Sequence, residues 1–457
     1  MTYLHRHASR RDFLKRASRA SALAGTPFMA NLMAIGAASG QQAVGHKALV
    51  CIFLNGGNDQ SNTVIPASGS ALAAYTQSRP TIALTAAQML AISPSGFSGP
   101  PLAMHSSLGA IKPLFDQGRL AILANVGTLA TPTTQSQWNG GSPTVPVPFQ
   151  LFSHADQAGA WQTGVPDRAS TTGWLGRIGD LTAGAFNPGS GVSIAISAAG
   201  NNVMQTGNAT VQYQVTTQGA VKVGGLYGGG PSGTVAAPLR KLMTEARGNL
   251  FEAELTKVAS RAVATELQVT QALAGVPANM AFPNTPLGQQ LAIVARMIGG
   301  RDALQQKRQI FFVQAGGYDF HGDLLGAHAG RMQELGDAMA AFYQATVALG
   351  VVGNVTTFTA SDFGRALQSN GRGSDHGWGG HHFIMGGAVL GQRVYGSFPT
   401  VSLRGPEDAG QGRLIPTTSV DEYAATLARW FGVAGGDLAT VMPNLGRFSK
   451  PDLGFLG

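Results

Sequence analysis

Three histidines fall within seven residues in Ser374-Asp375-His376-Gly377-Trp378-Gly379-Gly380-His381-His382. Imidazoles beside a carboxylate suit metal ligation, and the surrounding glycines let backbone close around an ion. Three earlier segments have the same character: Asn55-Gly56-Gly57-Asn58-Asp59, Gly316-Gly317-Tyr318-Asp319-Phe320-His321-Gly322-Asp323 and Ser361-Asp362-Phe363-Gly364-Arg365. Asp and His without Cys form a hard-to-borderline donor set, suited to zinc, manganese, magnesium or calcium rather than to a thiolate structural site. Asp59, Asp319, His321, Asp362 and His376 would suffice for two ions about 4 Å apart, with His381 and His382 as further candidate ligands. Ions held this way activate a nucleophile and neutralise charge on a phosphoryl or sulfuryl oxygen. Arg365, three residues after Asp362, is a candidate fork for an anionic substrate oxygen. Ser153, in Leu151-Phe152-Ser153-His154-Ala155-Asp156-Gln157, is the candidate nucleophile, at a helix start where the dipole favours an alkoxide. Each residue also has an ordinary structural role open to it. Asp59 can close an Asx-turn, Asp362 can cap a helix, Asp319 with His321 can form a capping turn, Arg365 can make a salt bridge, and Ser153 can be an N-cap completed by Asp156.

The elements that must position these residues follow from apolar patterning. Ala48–Leu54, Leu120–Asn125, Gly191–Ser197, Gln309–Gln314 and Val355–Ala360 are short apolar runs, with a sixth at Phe383–Gly387. Continuous rather than alternating apolar runs predict strands of a parallel sheet covered on both faces. Between them, residues 324–349 carry Leu325, His328, Met332, Leu335, Met339, Phe342 and Leu349 on one helical face. Residues 235–273 and 285–300 also read as helical, and 419–432 as a last helix with Ser419 as N-cap. Strand–helix alternation predicts a doubly wound α/β fold, whose ligands sit at the C-terminal ends of the strands. Four strand ends therefore deliver carboxylates or imidazoles to one edge. Gly-rich insertions lie near 128–150 and 198–233, the second with QYQV and AVKVG segments that can form a small β excursion.

The chain has 457 residues, 44% apolar and only 12% charged, with 63 glycines, which excludes a disordered chain and a coiled coil. Ser9-Arg10-Arg11-Asp12-Phe13-Leu14-Lys15 has the twin-arginine export pattern, followed by an Ala-rich stretch and small residues at Gly36, Ala37 and Ala38. Residues 1–38 are thus expected to be a signal peptide read by the twin-arginine translocase, and 46–457 a single exported, periplasmic domain with no transmembrane segment. The net charge of +8 does not indicate nucleic acid, because +5 of it lies in that leader and the rest is scattered. Cys51 is the only cysteine, so no internal disulfide forms, and its apolar run makes it a core residue. No G-x-S-x-G elbow, P-loop or dinucleotide fingerprint occurs in a strand–helix setting.

In order along the chain, LVCIFLNGGNDQSNTVIP, GRLAILANVGT, LFSHADQAGAWQTG, FFVQAGGYDFHGD, TTFTASDFGRALQSNGRGSDHGWGGHHFIMGGAVLGQRVYG and PTTSVDEYAATLARWFGV resemble an exported bacterial family catalogued as domain of unknown function 1501. That family is similar to a distant branch of the alkaline phosphatase and sulfatase superfamily. The resemblance implies a three-layer α/β/α sandwich with a mostly parallel sheet and a metal-dependent site for phosphate or sulfate esters. It implies that Asp59 matches the first metal aspartate, Asp319 that of the second metal, and Asp362 the aspartate of the sulfatase-type F-T-S-D-N-G. His376 resembles the late histidine ligand. Phe363 stands where phosphatases have His and sulfatases Asn, Asp319 and His321 are one residue apart rather than three, and no C-x-P-x-R sulfatase sequence occurs. The expectation is an ester hydrolase in which Ser153 or an ion-activated water attacks. Its competitor is a non-catalytic envelope protein that keeps the fold and binds a partner through its loops.

Overall fold

Successive residues of the first strand, β1 (Lys47–Leu54), enter opposite layers, as the period-two geometry of a strand requires. Ala48, Val50, Ile52 and Leu54 pack with Leu287, Leu291, Met332 and Leu335, whereas Leu49, Cys51 and Phe53 pack with Trp161, Trp174, Ile178 and Leu427. Both faces are therefore covered, which is why the run is apolar throughout. The computed structural model describes residues 45–222, 226, 233–246 and 248–457. The expected signal segment 1–38 and part of the stretch 198–233 lie outside these residues.

Among the described residues the main sheet has ten strands: β1, β2 (Leu120–Gly127), β3 (Ala195–Ser197), β4 (Tyr213–Thr216), β5 (Gly219–Ala220), β6 (Arg308–Ala315), β7 (Val355–Ser361), β8 (Gly380–Gly386), β9 (Val394–Tyr395) and β10 (Thr418–Ser419). Their order is β9-β2-β8-β7-β1-β6-β3-β4-β5, with β10 also on β2. All pairings are parallel except those of β8 with its two neighbours and of β4 with β5. The strand expected at 383–387 begins at Gly380 and runs antiparallel. Only a small hairpin (Arg365–Ser369 with Ser374–His376) separates it from β7, too little chain for the helical crossover that a parallel return needs.

Seven helices matter here: α1 (Gln60–Thr63), α2 (His154–Thr163), α3 (Trp174–Phe186), α4 (Leu250–Ala274), α5 (Pro286–Gly299), α6 (Leu324–Ala348) and α7 (Val420–Phe431). Helices α4, α5 and α6 cover one face of the sheet and α2, α3 and α7 the other, giving the α/β/α sandwich. The helix expected over 235–273 is two, Gly233–Thr244 and α4, because Asn249 caps the second by accepting the Phe251 N–H. Ser419 caps α7 as its sequence indicates, in a reciprocal box with Glu422. No helix among the described residues is long and apolar enough to cross a membrane.

Candidate metal centre

The turns after β6 and β7, the small hairpin and the start of α2 meet at one rim of the sheet. Asp319 follows β6, Asp362 follows β7, His376 closes the hairpin and His154 opens α2. Asp319 Oδ1 is the hub. It lies 3.0 Å from His321 Nε2, 3.4 Å from His154 Nε2 and 3.5 Å from His376 Nε2, and accepts from Arg365 Nη1 at 3.1 Å. One donor atom each from His154, Asp319 and His376 lie within 4.8 Å of one another, the spacing a metal ion needs.

The hydrogen bonds behind these atoms set the imidazole tautomers. His376 Nδ1 donates to the Phe152 carbonyl at 2.7 Å, and His154 Nδ1 donates to Asp362 Oδ2, also at 2.7 Å. Both rings carry their proton on Nδ1, so the Nε2 lone pair of His154 faces Asp319 and that of His376 faces Asp319 and, at 2.8 Å, His321 Nε2. Asp362 is itself held by the Gly56 N–H, 3.2 Å from each of its oxygens. This is how ligand histidines are oriented by their outer neighbours. His154 Nε2 is buried and has no hydrogen-bond partner among the described residues. Its bond to Asp362 raises the His154 pKa against the effect of burial, and burial lowers that of His376. Burial alone would raise Asp319, but the Arg365 bond and charge outweigh it and hold the carboxyl below its usual range.

Sequence reasoning missed His154. The signal was adjacent, since His154 directly follows Ser153 in the segment chosen for a nucleophile. Ser153 Oγ instead donates to Asp156 Oδ2 at 2.6 Å, while its neighbours Phe152 and His154 reach the cluster. Arg365 does not fork onto a substrate oxygen. It is fully buried and donates to Asp319, Gly56, Tyr318 and Ser374, so it positions Asp319 from below. Asp375 lies 3.4 Å from His321 Nδ1, on the outer side of the cluster.

Three expected ligands are not brought in. Asp59 is fully buried and ion-paired with Arg79, equally buried, which also donates to the Ala366 carbonyl. His381 and His382 are successive residues of β8 and so leave it on opposite faces. His381 Nδ1 accepts the Asn125 N–H and its ring stacks on Phe398. His382 bonds Thr359 and packs edge-on to Trp161. Burial pushes both pKa values down to about 3, so they are neutral core histidines.

Phe363 gives the cluster a phenyl floor, its centroid 4.7 Å from those of His154 and His376. Gly57 permits this contact. It sits at φ +83°, and a Cβ there would lie 2.2 Å from the Phe363 ring.

The chain shows low similarity to several solved structures. A sulfatase, PsFucS1, from Pseudoalteromonas sp. is 11% identical, with 88% of this chain and 70% of that one aligned and a TM-score of 0.36. The lipoteichoic acid synthase LtaP from Listeria monocytogenes is 7% identical, over 87% and 75%, with a TM-score of 0.34. A variant of the alkaline phosphatase PafA is 14% identical, over 71% and 64%, with a TM-score of 0.28. No curated protein matches the sequence. Residues 46–442 match the family described as "Protein of unknown function (DUF1501)", and the match spans nearly all of the sandwich and every residue of the cluster, so this chain belongs to the DUF1501 family.

Proposed function

We propose that this chain is a hydrolase of phosphate or sulfate esters that works with one divalent ion, held by His154 Nε2, Asp319 Oδ1 and His376 Nε2 with His321 beside them. The observation that carries this reading is the pair of imidazoles whose Nδ1 protons are anchored while their Nε2 atoms converge on one carboxylate oxygen. The buried, unpartnered Nε2 of His154 is the donor-set fit expected for a ligand. Such an ion, when bound, supplies Lewis-acid polarisation of the ester and of water. Asp362 and the Phe152 carbonyl hold the ligand rings in one tautomer. Arg365 fixes Asp319 and keeps it ionised. His321, half-exposed, lies between Asp375 and Asp319 at the outer side of these ligands. Ser153 has its hydroxyl on Asp156, so the reading assigns the attack to water.

A single ion is favoured over two because Arg79 already neutralises Asp59 and Phe363 contributes no donor. Elemental analysis of the purified chain is expected to find one zinc or manganese per molecule, with turnover of aryl phosphate or aryl sulfate esters. No ion, or two, would overturn the single-ion reading. A second reading, a non-catalytic envelope protein, draws on the same Phe363 and Arg79 features, and predicts the ion without turnover of any ester.

On this reading the protein is exported, which Ser9-Arg10-Arg11-Asp12-Phe13-Leu14-Lys15 supports. The double variant Arg10→Lys/Arg11→Lys is expected to stay in the cytoplasm. Its appearance in the periplasm at the parent's level would remove the export proposal.

A further inference from the structure

Three arginines lie at or beneath the cluster, and they differ in what their guanidinium groups still have to offer. Arg79 is fully buried on Asp59 and the Ala366 carbonyl, and its one unpartnered nitrogen, Nε, is enclosed as well. Arg365 is closed on Asp319 and three carbonyls. Arg413 is different. Its Nε donates to the His376 carbonyl at 3.0 Å, and its guanidinium carbon lies 4.5 Å from the centroid of the Phe152 ring. These two anchors are the residue that offers Nε2 to the candidate ion and the residue whose carbonyl orients that ring. The outer nitrogens of Arg413 have no hydrogen-bond partner among the described residues, and the side chain is half-buried.

The base of Arg413 is firmly set. Asp408 accepts the N–H groups of Arg404, Gly410 and Gly412, each at 2.7 Å, and Ala409 N–H donates to the Arg413 carbonyl. The Phe152 ring is braced in turn by Trp138, which packs on Trp378 and donates to the Ala409 carbonyl. The guanidinium is planar and rigid, so fixing Nε and one face also fixes the direction of the remaining N–H groups. A stacked, pre-oriented fork with unused donors is the arrangement that recognises tetrahedral oxyanions.

The geometry points to Arg413 as the substrate-binding residue that grips the phosphate or sulfate oxygens beside the ion, the role Arg365 cannot play. This rests on the single-ion reading above. The test is calorimetric titration of the zinc-loaded chain with inorganic phosphate and, separately, with inorganic sulfate. Arg413→Met is expected to keep one zinc per chain and the parent's melting temperature but to weaken oxyanion binding by ~10- to 100-fold, the range of charge-assisted hydrogen bonds. Arg413→Lys, which keeps the charge without the fork, is expected to fall between. Whichever oxyanion binds tighter to the parent identifies the ester class. Parent-like phosphate and sulfate affinity in Arg413→Met would overturn the assignment and leave the metal centre standing. Loss of zinc from that variant would also overturn it, since Arg413 would then be a strut for His376. A parent chain that takes up no zinc would remove the metal reading itself, and this assignment with it.

Discussion

A chain carrying His154→Ala is expected to bind no divalent ion at concentrations that saturate the parent, while folding normally. The ring supplies one of three convergent donors, and without it Asp319, His376 and the adjoining His321 no longer enclose an ion from the α2 side. Folding should be spared because the His154 side chain is one-third exposed (33%) and sits at the first position of α2 rather than in the core. Asp362→Asn gives the graded version. An asparagine oxygen still accepts the Gly56 N–H, but the carboxylate that held the His154 Nδ1 proton is gone. Loss of such an outer partner typically costs 10- to 100-fold in ion affinity, so about that drop is expected here. Competition with a chromogenic zinc chelator, alongside circular-dichroism melts, checks both variants. Parent-like zinc affinity in His154→Ala would mean that this cluster is an ordinary hydrogen-bonded surface group.

The second large effect lies beneath that rim. Arg79→Ala is expected to destabilise the fold by about 3–5 kcal/mol at neutral pH, because it leaves the fully buried Asp59 carboxylate without its cation. Asp59 Oδ1 already lacks a partner, and of the cations only the charge of Arg365 is left to offset part of the loss. Burial pushes the Asp59 carboxyl up, and Arg79 and then Arg365 pull it back. Without Arg79 the folded-state pKa rises further above the unfolded value. The sign follows: the variant folds by keeping a proton on Asp59, so its deficit shrinks as pH falls towards the unfolded carboxylate pKa and grows as pH rises. The double variant Asp59→Leu/Arg79→Met removes both charges together and is expected to recover most of the loss. Urea melts of the parent, Asp59→Leu, Arg79→Met and the pair close the cycle. Metal content should remain one ion throughout. An Arg79→Ala chain as stable as the parent, or one that gains a second ion, would show that Asp59 is a latent ligand rather than half of a structural pair.

Patterning was enough to find a doubly wound α/β fold with both faces of its sheet covered. A run such as ALVCIFL is apolar at every position because both faces of β1 are covered, and that demand is local and visible in composition. The buried face of α6 and the capping box of α7 were readable for the same reason: each depends on residues within a turn or two of one another. The strand ends that carry Asp319, Asp362 and His376 followed from that architecture. The partners of these residues did not. Asp59 lies in the right turn but meets Arg79, 20 residues on, and an ion pair between the N-cap of α1 and the C-cap of the helix Gly69–Ser78 has no periodic signature. His381 and His382 look like the richest ligand pair in the chain, yet the pleat of β8 sends them into separate cores. His154 was overlooked beside Ser153 because only the docking of α2 against the turn after β7 decides which of two neighbours faces Asp362. Residue types and their order set which chemical groups reach the rim. Which carboxylate keeps a free oxygen there depends on side-chain direction and on cations arriving from distant parts of the chain, and only the packed structure resolves that.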